Sequence, residues 1–459
     1  MRPAGCRSLS MVVDGCRWLS MVVDGCRQAT ANTRLTTTAP APMQATDFSD
    51  TELAELRAHG IVLFADRVIF DAQPPMPADQ IAAVQARCHG DLPPALLELW
   101  RTTAGGSLDY DLTLEMNGHI EAISWGELFY NGSNGYRDLE GWIDHELELA
   151  EEAADEHARP WSGRLDVLPF GGFEYCDRIY IVTDPDAKDR GHVLAWKQGL
   201  PPAWRGAMHE DGLATVAPDL YAAFGALQLN ADPLEPGNEN GTGATLLDYI
   251  DERQAEHGLS ASLGDKVIAF YRRAVIDWRT PLADGTLAAQ PALARHALRH
   301  AIDHDDAALT VQLVPLIANL GVALAGSSNP ADYALRRQKF AAASALLESG
   351  APVAPDSLES VSGMVPPALI RALLDAGVQP DADAMARCVA AGGTDSARLI
   401  GAALSAQGVD AASACRSAIA TLLHELETDI ARVRAGKLHH HLGLDGLEAH
   451  AERLRTFRP

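Results

Sequence analysis

Basic residues are scarce in this chain: 37 Lys and Arg stand against 62 Asp and Glu, for a formal net charge of −25 at pH 7. The first 42 residues hold five of those Arg and only two of the Asp, so the remainder sets 32 bases against 60 acids. A body this acidic repels a phosphate backbone, which argues against nucleic-acid binding and fits either solubility alone or a basic protein partner. Cysteine is sparse too, seven in 459 residues. Cys6, Cys16 and Cys26 lie in a leading repeat, while Cys88, Cys176, Cys388 and Cys415 share no spacing of a disulfide framework or a metal site. That excludes a disulfide scaffold and points to a reducing compartment, the cytoplasm. Residues 307–331 carry no charge, yet Gln312, Pro315, Asn319 and Gly321 interrupt them and Asp303, Asp305 and Asp306 precede them, so a buried helix pair is expected rather than a membrane span. Also missing are a G-x-S-x-G elbow, a phosphate-binding glycine loop, an H-E-x-x-H and a C-x-x-C pair. No catalytic residue, metal set or cofactor is therefore assigned, and the chain reads as a non-enzyme.

Apolar residues make up 47% of the chain, enough for a core in each of the two or three domains its length implies. Residues 1–42 stand apart. A ten-residue unit, GCRSLSMVVD then GCRWLSMVVD then GCR, gives way to a Thr/Ala/Pro-rich run, and each apolar triplet is cut off by Asp14 or Asp24 and an Arg. No signal-peptide core forms, and a disordered tail is expected, with translated repeat DNA upstream of a start at Met43 favoured over a functional segment.

From Asp50 the pattern becomes regular. A helix opens there, with Leu53 and Leu56 on its apolar stripe, and a strand comes next at 61–64. Asp79 is placed to cap a helix carrying Ile81, Val84 and Cys88 on one face. The stretch LPPALLELWRTTAGG at 92–106 reads as a short helix with prolines in its first turn, a stripe at Leu96, Leu99 and Trp100, and a double-glycine exit. Residues 108–123 alternate and turn at Asn117 and Gly118, and Trp125 is expected to anchor the next segment of chain against the sheet. Between Asp138 and Glu156 nine acids and no Lys or Arg share a helix whose stripe is Trp142, Ile143, Leu147, Ala150 and Ala154. The run RIYIVT at 178–183 and the run GHVLAW at 191–196 form a hairpin, and a closing helix carries Leu220 and Phe224 one turn apart.

The order of Leu92-Pro93-Pro94, Trp100, Gly105-Gly106, Leu168-Pro169-Phe170-Gly171 and Gly191-His192-Val193 resembles the SUKH superfamily, whose members include fungal cell-wall regulators and bacterial immunity proteins against secreted nuclease toxins. The resemblance covers residues 43–229 and implies an α+β fold: an antiparallel sheet with flanking helices. It also implies a protein that neutralises a toxin by covering it. The alternative is a scaffold or regulator of the cell-wall type that binds through its second half.

Residues 230–245 (NADPLEPGNENGT, then three more) read as a linker, and 246–459 as an all-α domain, Ala- and Leu-rich with helical periodicity. Gly321, Gly350, Gly377 and Gly408 each follow a leucine-bearing helix end at spacings of 29, 27 and 31 residues, similar to ankyrin repeats, although the Thr-Pro-Leu opening of that family is absent.

Candidate sites are few. Asp184, Asp186 and Asp189 lack the glycine and terminal Glu of a calcium loop and read as a solvated turn. His439, His440 and His441, being adjacent, splay apart on a helix and read as surface residues, and Cys88 falls on an apolar stripe as a core thiol. Aromatics mixed with acids remain: Asp109, Tyr110, Asp111, Tyr130, Tyr136, Glu174, Tyr175 and Asp177. Tyrosine supplies contact area at low entropic cost and carboxylates meet Lys and Arg, so this set is the expected surface for a basic toxin domain.

Overall fold

The computed structural model describes residues 47–458 apart from 117, 134–137, 157–159, 175, 201–209, 237, 239, 325–327, 362, 363 and 441. The tail at 1–42 lies outside the described residues. Two compact units divide the chain between Ile276 and Asp277. The first is α+β, the second helical.

In the first unit Ser49 and Glu52 close a reciprocal capping box on α1 (Asp50–Ala58). A tight hairpin comes next, β1 (Val62–Phe64) and β2 (Arg67–Ile69), whose two turn residues Ala65 and Asp66 both take positive φ, 46° and 59°. Such a turn matches the twist of the strands it joins. Helix α2 (Ala78–Arg87) begins after Pro77 with no side-chain cap, so Asp79 is not the cap expected of it. It sits in the first turn, where the helix dipole favours its charge. Helix α3 (Pro94–Thr102) buries Leu96, Leu99 and Trp100 as expected.

Its exit differs from expectation. Thr103 ends the helix in extended backbone, and the double glycine serves the sheet instead. A Cβ on Gly105 would stand 2.6 Å from the Leu128 carbonyl oxygen, and one on Gly106 2.9 Å from that of Phe70. Only bare backbone fits between those strands.

The remaining strands run in chain order: β3 (Gly106–Ser107), β4 (Leu112–Met116), β5 (His119–Ile123), β6 (Glu127–Leu128), then helix α4 (Leu139–Glu156), β7 (Val167–Phe173), β8 (Asp177–Val182), β9 (Val193–Leu200) and β10 (Glu210–Ala217). Six of them form one antiparallel sheet in the order β10, β9, β8, β7, β6, β3. Strands β4 and β5 pair separately as the expected hairpin, although Asn117 of its turn lies outside the described residues. Pleating divides β8 and β9 between two faces. Ile179, Ile181, Val193 and Ala195 join the main core, where Trp125 meets Phe170 and Phe224 edge-on at 5.7 and 5.3 Å. Tyr180, Val182, Leu194 and Trp196 make a second apolar cluster on the opposite face, alongside buried Arg178. Helix α5 (Leu220–Ala226), capped by Asp219, buries Leu220 and Phe224.

The unit does not end there. Helices α6 (Ala244–His257) and α7 (Ala261–Tyr271) send Leu246, Ile250, Leu263, Val267, Phe270 and Tyr271 into the same core. The stretch 230–245, expected to be a free linker, is tied down: Asp111 accepts from the Asn230 N–H at 2.8 Å and the Thr242 hydroxyl at 2.9 Å. The division between the units thus falls about thirty residues later than 246. Polar residues without periodicity looked like solvent-exposed chain because their partners, Asp109 and Asp111, are over a hundred positions away.

The second unit is helical throughout its described residues: α8 (Arg279–Ala283), α9 (Pro291–Asp303), α10 (Ala307–Leu313), α11 (Pro330–Arg336), α12 (Phe340–Glu348), α13 (Pro367–Asp375), α14 (Ala382–Ala391), α15 (Thr394–Ala406), α16 (Ala411–Arg434) and α17 (Gly443–Thr456). Gly350, Gly377 and Gly408 take φ of +80°, +91° and +82° just past α12, α13 and α15. At each, the following residue's N–H reaches back to a leucine carbonyl five positions before it, Ala351 to Leu346, Val378 to Leu373 and Val409 to Leu404. This is the glycine-terminated helix end that the spacing called for. Gly321 is different. It sits in a turn, its N–H bonded to the Asn319 side chain, and among the described residues of 307–331 a short 3-10 turn (Val314–Leu316) follows α10 before α11 begins at Pro330, in place of a helix pair. No helix among the described residues is long and apolar enough to cross a membrane.

Candidate functional site

Helix α4 carries the densest single-sign charge in the first unit. Glu140, Asp144, Glu148, Glu151, Glu152, Asp155 and Glu156 are all exposed, and the helix has no Lys or Arg. At 100° per residue these seven fall on one stripe, with Trp142, Ile143, Glu146 and Ala153 buried on the other side. Asp144 is paired with Arg87 of α2. His145, on the flank, is held below its ordinary pKa by burial, so at pH 7 it is neutral and does not dilute the charge.

The buried side of α4 is clamped by an ion pair inside the protein. Arg178 of β8 is 2% exposed and donates to Glu146 Oε1 at 3.0 Å, and the Tyr180 hydroxyl donates to the same oxygen at 2.8 Å. The guanidinium lies between two indoles, 4.2 Å from the Trp142 ring and 4.7 Å from that of Trp196. A buried charge survives only when paired and bonded, and cation–π contacts on both faces of the Arg add to that. The clamp was legible in principle: Arg178 interrupts an apolar strand, and Glu146 lies one turn from Trp142 on the helix's apolar stripe.

Of the residues expected to form the partner surface, four are taken up inside the fold. Asp109 accepts from the Thr245 and Leu246 N–H groups at 3.0 and 3.3 Å, capping the start of α6. Burial raises its pKa, opposed by those backbone donors. Tyr110 is buried, its hydroxyl accepting from the Val68 N–H at 2.8 Å and its ring 4.9 Å from Tyr271. Asp111 is spent on Asn230 and Thr242. Asp177 is 2% exposed and accepts from the Ser124 N–H at 2.7 Å, with Lys197 3.8 Å away, and burial raises its pKa also. These four cannot meet a partner without unfolding what they hold. Tyr130 is half-buried, in a bridge with Asp138, and Glu174 is exposed at the tip between β7 and β8 with φ of 46°. Tyr136 and Tyr175 lie outside the described residues. The set is therefore not one surface.

Cys88 is buried and its pKa is pushed up to about 12 by that burial, as befits a core thiol. Asp184 closes an Asx turn with the Asp186 N–H. His439 is exposed and His440 half-buried, while His441 lies outside the described residues. A second feature had no signal in the sequence. The end of α1 and helix α6 enclose a cleft of about 460 Å³ lined by Arg57, Ala58, His59, Gly60, Ala72, Tyr249, Arg253 and His257.

No family model, no curated protein and no solved structure matches this chain.

Proposed function

We propose that the first unit is a non-catalytic protein-binding module whose contact surface is the acidic stripe of α4, and that its partner is a basic protein domain, of the kind a secreted nuclease toxin presents. The observation that carries this is where the charges sit. Glu148, Glu151, Glu152, Asp155 and Glu156 crowd the C-terminal half of the helix, where the dipole opposes negative charge and like charges one turn apart repel. Each such pair costs about 0.2–0.5 kcal/mol. A face serving solubility alone would intersperse lysines. A face serving a basic partner keeps the carboxylates together, and the buried clamp through Glu146 supplies the rigidity that the unfavourable charge would otherwise erode.

The kinship with the SUKH superfamily belongs to the same proposal, supported by the helix-flanked antiparallel sheet and the placement of Trp100, Gly105 and Gly106 within it. The glycine-terminated helices of the second unit support an ankyrin-like array in the same sense. The experiment is a binding measurement against a toxin domain, should one be encoded beside this gene. The proposal expects a complex whose association slows as salt rises. Absence of any complex, or a rate indifferent to salt, would remove it.

A further inference from the structure

The cleft between α1 and α6 is a basic spot on an acidic protein. Two Arg and two His are among its eight lining residues, and no Asp or Glu is. Its construction is specific. The Tyr249 hydroxyl donates to the His59 carbonyl at 3.0 Å, and its ring lies 5.3 Å from that of Phe70 and 4.5 Å from the Arg253 guanidinium. Gly60 makes room for this. Its φ is +70°, and a Cβ there would stand 2.5 Å from the Tyr249 hydroxyl. The Gly60 carbonyl in turn accepts from the Ala72 N–H at 2.9 Å, closing the floor. Arg57 is oriented by donation to the Thr102 carbonyl. His257 stands at the rim, 3.6 Å from Glu252.

Arg253 is the informative residue. Stacked on Tyr249, it buries its Nε, which has no hydrogen-bond partner among the described residues. A buried N–H left unbonded costs of order 1–3 kcal/mol, and with Nε covered the terminal Nη groups are what remain to Arg253 for a ligand in the cleft.

We propose that this cleft binds a phosphate monoester. Guanidinium groups offer paired N–H donors in a plane that matches phosphate oxygens, and two of them line this cleft, Arg57 from α1 and Arg253 from α6, a charge that suits a dianion. The volume exceeds what a phosphoryl group alone fills, leaving space for the body of a small metabolite. This site is independent of the acidic stripe of α4 and stands or falls without it.

The test uses the full-length chain at constant ionic strength, titrated with glycerol 3-phosphate, inorganic phosphate and malonate, read by calorimetry and by the imidazole resonances of His59 and His257. Saturable binding of glycerol 3-phosphate and of inorganic phosphate is expected, with malonate at least tenfold weaker. Arg253→Gln and Arg57→Gln should each weaken binding about tenfold or more, and Arg416→Gln, an exposed change in the second unit, should not. Absence of saturable binding in the unaltered protein, malonate binding as tight as phosphate, or full affinity in both Arg variants would each overturn the assignment. The imidazole shifts are read on unaltered protein, so they decide the matter even where a variant fails to fold.

Discussion

Glu146 and Arg178 form an ion pair at 3.0 Å in which neither side chain is more than 7% exposed. It joins the one buried carboxylate of the acidic helix to the second residue of a fully buried strand. The surface charge of α4 is held in place by a charge that never meets water.

Removing one member of that pair leaves the other stranded. Arg178→Met and Glu146→Gln should each lower the unfolding free energy by about 3–5 kcal/mol, whereas Arg178→Met with Glu146→Leu should cost much less, because burying two apolar groups strands no charge. Urea unfolding of the single and double variants checks this. Additive losses would show that the residues act separately.

Neutralising the stripe should move stability and association in opposite directions. Glu151→Gln, Glu152→Gln and Asp155→Asn together relieve repulsion and the adverse dipole, raising stability by about 0.5–1.5 kcal/mol. They should also slow association with the basic partner. Calorimetric melting and stopped-flow binding read the two effects, and a loss of stability would mean the stripe is structural.

Glu52 gives a pH signature. Its carboxylate accepts from Lys266 of α7 at 2.7 Å and closes the capping box with Ser49, and these bonds lower its pKa from 4.5 to about 2. A group depressed on folding contributes stability that is present above its unfolded pKa and lost as pH falls through the folded one. The difference in stability between the unaltered protein and Glu52→Gln should therefore be constant above about pH 5 and shrink between pH 4.5 and about 2. A difference that stays constant down to pH 2 would contradict the pairing.

Cutting the chain should expose where the first unit ends. A fragment of residues 47–276 is expected to fold, and one of 47–230 to be unfolded or aggregated. The shorter piece loses Leu246, Ile250, Leu263, Val267, Phe270 and Tyr271 from its core, each worth about 1.5–3 kcal/mol, which together are as large as the roughly 5–15 kcal/mol that holds a domain folded. Circular dichroism and amide exchange decide it. Partner binding by 47–276 alone would assign recognition to the first unit rather than to the helical array.

Local pattern made much of this fold readable. Period-two alternation located β8 and β9, the stripe of Leu96, Leu99 and Trp100 located α3, and glycine spacing located the ends of α12, α13 and α15. Long-range partners were not readable. Asp109 and Asp111 look like surface acids until α6 is docked, and only then does their role as anchors of 230 and 242–246 appear. The same docking creates the cleft of Arg57 and Arg253, residues 196 positions apart that no window contains together. Of the acidic features, the helix at 138–156 was visible from composition, while its buried clamp left only two separate hints, Arg178 in an apolar strand and Glu146 on an apolar stripe, with nothing local to pair them.

The central claim is that the α4 stripe is what a basic partner touches. Stopped-flow association of the full-length protein with a basic nuclease-toxin domain, at about 0.05 M and about 0.5 M salt, tests it most directly. The account predicts a rate that falls at least tenfold between those salt concentrations, and a far smaller fall in the Glu151→Gln, Glu152→Gln, Asp155→Asn variant. An identical salt dependence in the two proteins would contradict it.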